Sequence, residues 1–367
     1  MAGGADLSAL FNVYNQSAAA LPGAINQLSG EVHASVPAMA VSASDQFLRT
    51  MLDPTAIGRQ PGPGTAGFTG TVRKGADHPA QSSLIDAPAY SVWGAAFGSA
   101  GRTDGEARIG SARRDLDDAH IAVGADLKIA PGTVAGFAVS GGSARASLSG
   151  GLGRAEADVF QAGLYGTTRI GGLNLGAALA YGRFENEVKR AVPVLGSALS
   201  SSYGSNAWSG RLQASMPVYE EGGFSASPFA AIQSIHVSTP HIVEGNWAGA
   251  AGGALALKGR SDRTTRTELG AQLDLAGAVG ATPVNGYVRA AWAYYAERDV
   301  GIGASFLGIA GSSFVVEGAR APRNSALLTA GLDVSITPAM TFGARLDGEL
   351  AGSASRIGGS AKLKVSF

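Results

Sequence analysis

His236 and His241 are the side chains best suited to move a proton near neutral pH, and both fall near the end of one alternating apolar segment. With an Asp or Glu beside them they could form a surface hydrolytic site of the protease or lipase kind. The plainer reading is two polar residues next to a loop. The other histidines, at 33, 78 and 120, are scattered, and the chain has no G-x-S-x-G elbow, P-loop, H-E-x-x-H or cysteine. Asp115, Asp117 and Asp118 have the oxygen chemistry of a divalent-cation site, yet they also read as a solvated loop edge. No catalytic residue, cofactor or metal is expected. A third set is more orderly: Glu268, Asp274, Arg289, Glu297, Arg345, Glu349, Lys362 and Lys364 all fall on the polar side of segments that alternate with period two. Charges of mixed sign on such faces suit a hydrated lumen wall, pairing across strands or gripping something inside.

The elements that would carry these charges divide the chain into three textures. Residues 1–53 read as two or three short helices, with Val32, Val36, Met39, Ala43, Phe47 and Met51 at three- to four-residue spacing and breaks expected at Pro22 and Pro37. Residues 54–88 read as a Pro- and Gly-rich linker. From residue 89 to 367 the period is two. In the last segment Ala361, Leu363, Val365 and Phe367 fall on one face, and Ser360, Lys362, Lys364 and Ser366 on the other. Twelve such segments run from 89–102 to 357–367, the sixth at 204–219 and the ninth at 285–300. The seventh, 223–240, is blurred by Pro228 and Gln233. Tight turns such as Ala130-Pro131-Gly132 and Ile170-Gly171-Gly172 alternate with long polar connections at 103–114, 147–153, 190–203, 241–259 and 301–322. Short turns alternating with long loops, on an even strand count, predict an all-β transmembrane antiparallel barrel of about 12 strands.

Composition agrees. Charged residues are only 15% of 367, against roughly 25% in soluble domains. No run of about 18 apolar residues offers a transmembrane helix. The formal net charge of +0 argues against a nucleic-acid surface. The absence of cysteine suits export through an oxidising periplasm. The first residues carry no charged n-region or apolar h-region, so the sequence is expected to be part of a longer precursor.

Leu28-Ser-Gly-Glu-Val-His-Ala-Ser35, Val92-Trp-Gly-Ala-Ala-Phe-Gly98, Phe160-Gln-Ala-Gly-Leu-Tyr-Gly166, Ala330-Gly-Leu-Asp333 and Lys362-Leu-Lys-Val-Ser-Phe367, in this order, resemble the autotransporter translocator β-domain. The resemblance spans residues 28–367. It implies a monomeric twelve-stranded barrel in a Gram-negative outer membrane, inserted into lipid by the outer-membrane barrel assembly machinery. That barrel would help export an N-terminal passenger to the cell surface, with a helix left in the pore. Phe367, with Leu363 and Val365 on its row, is similar to the family's terminal insertion signal. Self-cleavage at an Asn such as Asn26 is implied only for part of the family. Two features depart from the pattern: Pro37 falls inside the expected pore helix, and no passenger precedes the linker. Residues 28–53, at about 1.5 Å per helical residue, cover about 40 Å, enough to thread an apolar band about 25 Å tall. The competing readings are a porin or channel with an N-terminal plug, and a barrel enzyme built on His236.

Overall fold

The computed structural model describes residues 11–53, 90–249, 252–297 and 301–367, and the linker expected at 54–88 lies outside the described residues. Three helices come first, α1 (Phe11–Tyr14), α2 (Leu21–Ser29) and α3 (Ser35–Met51), with a 3-10 turn at Glu31–Ala34 leading into α3. Pro22 and Pro37 do not break these helices but begin them: each lies in a first turn. Backbone N–H groups there have no helical partner, so proline is tolerated. Gly30 makes the bend between α2 and the turn with φ +71°, and a Cβ there would stand 2.5 Å from Leu255 Cδ1. Only glycine fits both demands.

Among the described residues twelve long strands follow: β1 (Tyr90–Thr103), β2 (Arg114–Ala130), β3 (Thr133–Leu148), β4 (Gly153–Ile170), β5 (Leu173–Val192), β6 (Ser197–Ser215), β7 (Phe224–Thr239), β8 (Arg260–Val279), β9 (Thr282–Tyr295), β10 (Asn324–Thr337), β11 (Met340–Ala351) and β12 (Ala354–Ser366). Each pairs antiparallel with the next, and β12 returns to β1 from Ser91↔Ser366 to Thr103↔Ala354. The sheet therefore closes, and no edge is left with unpaired backbone groups. Ile121, Phe137, Leu164, Leu179, Leu269, Val288 and Leu346 face outward, while Gln161, Arg211, Gln272 and Arg345 are buried inside. Apolar outside and polar inside is the pattern of a barrel whose solvent is lipid. Among the described residues no helix is long and apolar enough to cross a membrane.

The seventh segment is blurred in sequence because its inner face is partly apolar: Phe229, Ile235 and Val237 are buried beside Gln233. One expected loop is much shorter than its sequence suggests. In place of a connection at 190–203, β5 runs to Val192 and β6 begins at Ser197, joined by the single turn Pro193–Leu195. The serine-rich start of β6 looks like loop, but Val192, Leu195 and Leu199 bury themselves against Ala254 and Leu28 and hold the hairpin together. At the same end, Ile242–Val243, Leu255–Leu257, Gly301–Phe306 and Phe314–Glu317 form a separate four-stranded sheet from two long loops. Its apolar side closes over Ala34 at the mouth of the barrel.

Candidate functional site

The lumen is occupied by α3, which runs from the long-loop end of the barrel to the short-turn end. Glu31, just before α3, accepts hydrogen bonds from Ala112 N at 2.9 and 3.0 Å in the first long loop. Past its other end, Asp53 meets Arg345 of β11 at 3.2 Å and Tyr287 of β9 at 3.4 Å, both near strand ends that join short turns. The helix buries two unlike sides. Val36, Met39, Ala40 and Ala43 pack on Ala144, Ala146, Ala155, Ala157 and Val159 of β3 and β4. Phe47, Leu48 and Met51 pack with Trp93, Ala138, Ala178 and Tyr165. Small wall residues matter here, because they let a helix about 10–12 Å across sit inside the cylinder.

The remaining wall is charged. Asp45, almost completely buried, accepts from Arg266 Nη2 at 2.6 Å, Arg356 Nη2 at 2.6 Å, Gln233 Nε2 at 3.0 Å and Arg49 Nε at 3.1 Å. Glu268 takes both ends of the Arg211 fork at 2.8 Å and Arg266 Nε at 2.8 Å. The last carbonyls of the helix segment also find donors: Arg345 Nη1 on Arg49 O at 3.0 Å, Lys362 Nζ on Thr50 O at 3.2 Å and Gln213 Nε2 on Leu52 O at 3.2 Å. These carbonyls carry the negative end of the helix dipole and have no partner within the helix, so two cations and an amide from the wall cap them. Ser42 adds a polar tie, donating to Asp118 Oδ2 at 2.6 Å, which also accepts from Ser99 Oγ at 2.9 Å.

The upper mouth has its own buried latch. Glu244 accepts from Arg190 at 2.7 and 2.6 Å, lies 3.0 Å from His33 Nε2 and accepts from Leu255 N at 2.9 Å. Burial pushes the Glu244 carboxyl up, but the Arg190 and His33 hydrogen bonds outweigh it and hold it down at about 2. Glu31 behaves oppositely: burial dominates the hydrogen bond from Ala112 and the attraction of Arg114, and raises it from 4.5 to about 7. In undocked chain Glu31 loses its proton near 4.5, whereas docked it keeps the proton up to about 7, so docking weakens as pH rises through that window. Spontaneous openings of the reconstituted barrel should therefore be more frequent at pH 8 than at pH 4, about half a unit or more outside that window on either side. Glu31→Gln should flatten this dependence. Planar-bilayer recording checks it, and an unchanged slope in Glu31→Gln would assign the dependence to another group.

The structure places Glu268, Asp274, Arg289, Arg345, Glu349, Lys362 and Lys364 on the inner wall. Asp274 accepts from Gln272 at 2.6 Å, and Arg289 donates to Gln272 at 3.0 Å while lying 4.0 Å over the Phe229 ring. Glu349 accepts from Tyr295 Oη at 2.6 Å and Arg356 at 3.1 Å. Lys362 stacks 4.0 Å over Trp93, and Lys364 pairs with Asp126 at 3.4 Å. Glu297 differs. Strand β9 ends at Tyr295, so Glu297 stands exposed in the following loop, accepting from Thr265 Oγ1 at 3.1 Å. Phe367, Leu363 and Phe342 are exposed on the outer face. Of the aromatics, Tyr90 and Trp208 face outward, whereas Trp93, Tyr165 and Tyr287 are buried inside; Trp93, Tyr165 and Ser91 all donate to Asp126.

His236 lies on the outward row of β7 and His241 is exposed beyond its end. Asp118 points inward while Asp117 is exposed outside and Asp115 pairs with Arg102 and Arg113, so the three aspartates do not converge. No group of three or more metal-ligating side chains was found among the described residues. Asn26 stands on α2, outside the lumen mouth, its carbonyl accepting from Ser29 Oγ at 2.8 Å. The buried residues that sequence reading passed over are Asp45, Arg211, Arg266, Arg356, Arg190 and Glu244. Asp45 had one signal: between residues 32 and 52 it is the only carboxylate, following a run of apolar and small residues in α3.

A closed antiparallel barrel with a lipid-facing exterior, holding a helix from its own N-terminal side in its lumen, defines a translocator barrel. The chain belongs to the autotransporter β-domain family, whose model matches residues 92–347. It is thus an outer-membrane translocator domain serving an N-terminally linked passenger, in a family that is not known as enzymatic. No curated protein matches the sequence. Its fold is similar to the translocator domain of autotransporter NalP from Neisseria meningitidis, at TM-score 0.67 and 12% identity, covering 92% of this chain and 100% of that one. It is also similar to the beta domain of the Bordetella autotransporter BrkA, at TM-score 0.59 and 17% identity, covering 76% of this chain and 100% of that one. A third similar structure is the transport unit of the autotransporter AIDA-I from Escherichia coli, at TM-score 0.50 and 14% identity, with 89% and 99% covered.

Proposed function

We propose that the chain is the export unit and lipid-embedded anchor of a longer precursor, with residues 1–53 as pore segment, 54–88 as linker and 89–367 as a monomeric, non-catalytic barrel. Direction supports this reading. The chain ahead of α3 stands at the long-loop end, while the chain after it leaves toward the short-turn end where β1 begins. A passenger upstream of Phe11 is thereby outside, and the barrel remains its tether. Of the inward charges, Glu268, Arg345 and Lys362 serve to hold the pore segment directly, and Asp274, Arg289, Glu349 and Lys364 line the wall beside it.

Insertion by the assembly machinery draws on the last strand. Phe367 N donates to Tyr90 O at 2.9 Å, and the ring continues the outward row of Leu363 and Val365 at the short-turn rim. Burying such a ring contributes roughly 1.5–3 kcal/mol, too little to decide whether a twelve-stranded barrel is stable. The test places a signal peptide and a protease-sensitive reporter ahead of residue 1 and measures surface cleavage on whole cells. The expected result is a surface reporter for the natural sequence, and a large fall in outer-membrane amount for Phe367→Ala, with Ser366→Ala as control. The unfolding midpoint of Phe367→Ala in detergent should change little. A folded barrel whose reporter stays inside the cell would sink the export reading, and equal membrane amounts for the two substitutions would sink the insertion role.

A further inference from the structure

Charges on α3 and just beyond it alternate at one-turn spacing, Asp45, Arg49, Asp53, and the wall alternates in the opposite sense. Arg266 and Arg356 hold Asp45 at 2.6 Å each, Asp347 and Glu268 face Arg49 at 3.4 and 3.7 Å, and Arg345 holds Asp53 at 3.2 Å. We propose that this ladder is a register-reading site, which stops the exported chain where an acidic–basic–acidic helix segment meets the wall and rejects the neighbouring registers. Its ligand class is a helix with carboxylates two turns apart and a cation between them.

Apolar packing discriminates poorly between registers one turn apart. Ala43, Phe47 and Met51 follow one another at four-residue spacing, as do Val32, Val36 and Ala40, so a slip of one turn still presents small or apolar side chains to the small wall residues. The charges do not tolerate the slip in either direction. One direction sets Arg49 against Arg266 and Arg356, and Asp53 against Asp347 and Glu268. The other sets Arg49 against Arg345, and Asp45 against Asp347 and Glu268. Like charges brought together away from water are rejected strongly, and here each slip creates two such meetings. Between residues 11 and 53 Arg49 is the only basic residue besides His33, and Glu31 the only other carboxylate, so no alternative ladder competes.

The purpose assigned here rests on the translocator reading, but register itself is measured on the purified full chain, so the two can fail separately. The chain has no cysteine, and Ser42 Oγ lies 3.2 Å from Ser99 Oγ. Ser42→Cys with Ser99→Cys therefore reports the native register on oxidation, and Ala38→Cys with Ser99→Cys reports a slip of one turn. With the natural ladder, and with Asp45→Glu, only the Ser42 pair should cross-link efficiently. With Asp45→Asn, Arg49→Gln and Asp53→Asn together, its yield should fall several-fold and the Ala38 pair should rise. If that triple variant gives no heat-modifiable barrel band, Arg49→Gln alone is read the same way with a smaller expected shift, because it removes one of the two like-charge meetings in either slip while leaving the arginines their carboxylates. Cross-linking confined to the Ser42 pair in every folded variant would overturn the proposal and assign register to packing alone.

Discussion

Deletion of residues 11–53 should convert a nearly closed barrel into an open channel, with single-channel conductance rising several-fold. The removed helix is about 10–12 Å across with its side chains, so the space it leaves is a water-filled column through the whole lumen. The wall that lined it is already polar on one side, with Arg211, Arg266, Arg345, Arg356 and Lys362 facing inward, and water can hydrate those groups once the helix is gone. The lid should open as well, since its apolar cluster is completed by Ala34 and its latch by His33. Losing Asp45 and Asp53 also leaves the wall short of negative charge, so the opened channel should favour anions in a salt gradient. Planar-bilayer conductance and reversal potential measure both. An unchanged conductance would mean that the extracellular loops, and not α3, close the pore.

Glu268→Ala should be the most damaging single substitution in the lumen, destabilising the barrel by about 3–5 kcal/mol. Glu268 is buried and holds Arg211 through both nitrogens of its fork, together with Arg266. The intact pair adds little net stability, because desolvation of both partners offsets most of their attraction. Removing one partner is different: Arg211 would remain buried with its charge and lose its best acceptor, and Arg266 would lose one of its two carboxylates. Arg266 retains Asp45, so the effect on α3 should follow as weaker docking and noisier closed states. Asp117→Ala, on the exposed outer row, is the control and should stay within about 0.5 kcal/mol. Unfolding midpoints in detergent and denaturant compare the two, and similar midpoints would show that water reaches Arg211 in the folded barrel.

The sequence alone determined the architecture, and the reason is that lipid permits few solutions. Backbone groups must all pair, so the number of alternating segments sets the strand count. Rows such as Leu269, Leu273 and Leu275 against Glu268, Gln272 and Asp274 set which face meets lipid. Parity is a local property, one residue in two, and it was legible wherever the inner face was polar. It failed on β7, where Phe229, Ile235 and Val237 turn inward, and on the start of β6, where serines form strand because Leu199 has Val192, Leu195 and Ala254 to bury against. It also placed Glu297 on the wall when β9 had already ended. Pairing inside the barrel was never legible. Asp45 meets Arg266 and Arg356 from more than two hundred positions away, and Glu244 meets Arg190 across 54 positions and His33 across 211. Nothing local distinguishes those arginines from others on the inward rows. Closing β1 against β12 and laying α3 along the axis brings them to one place, and only that three-dimensional meeting turns a set of inward charges into a grip on the pore helix.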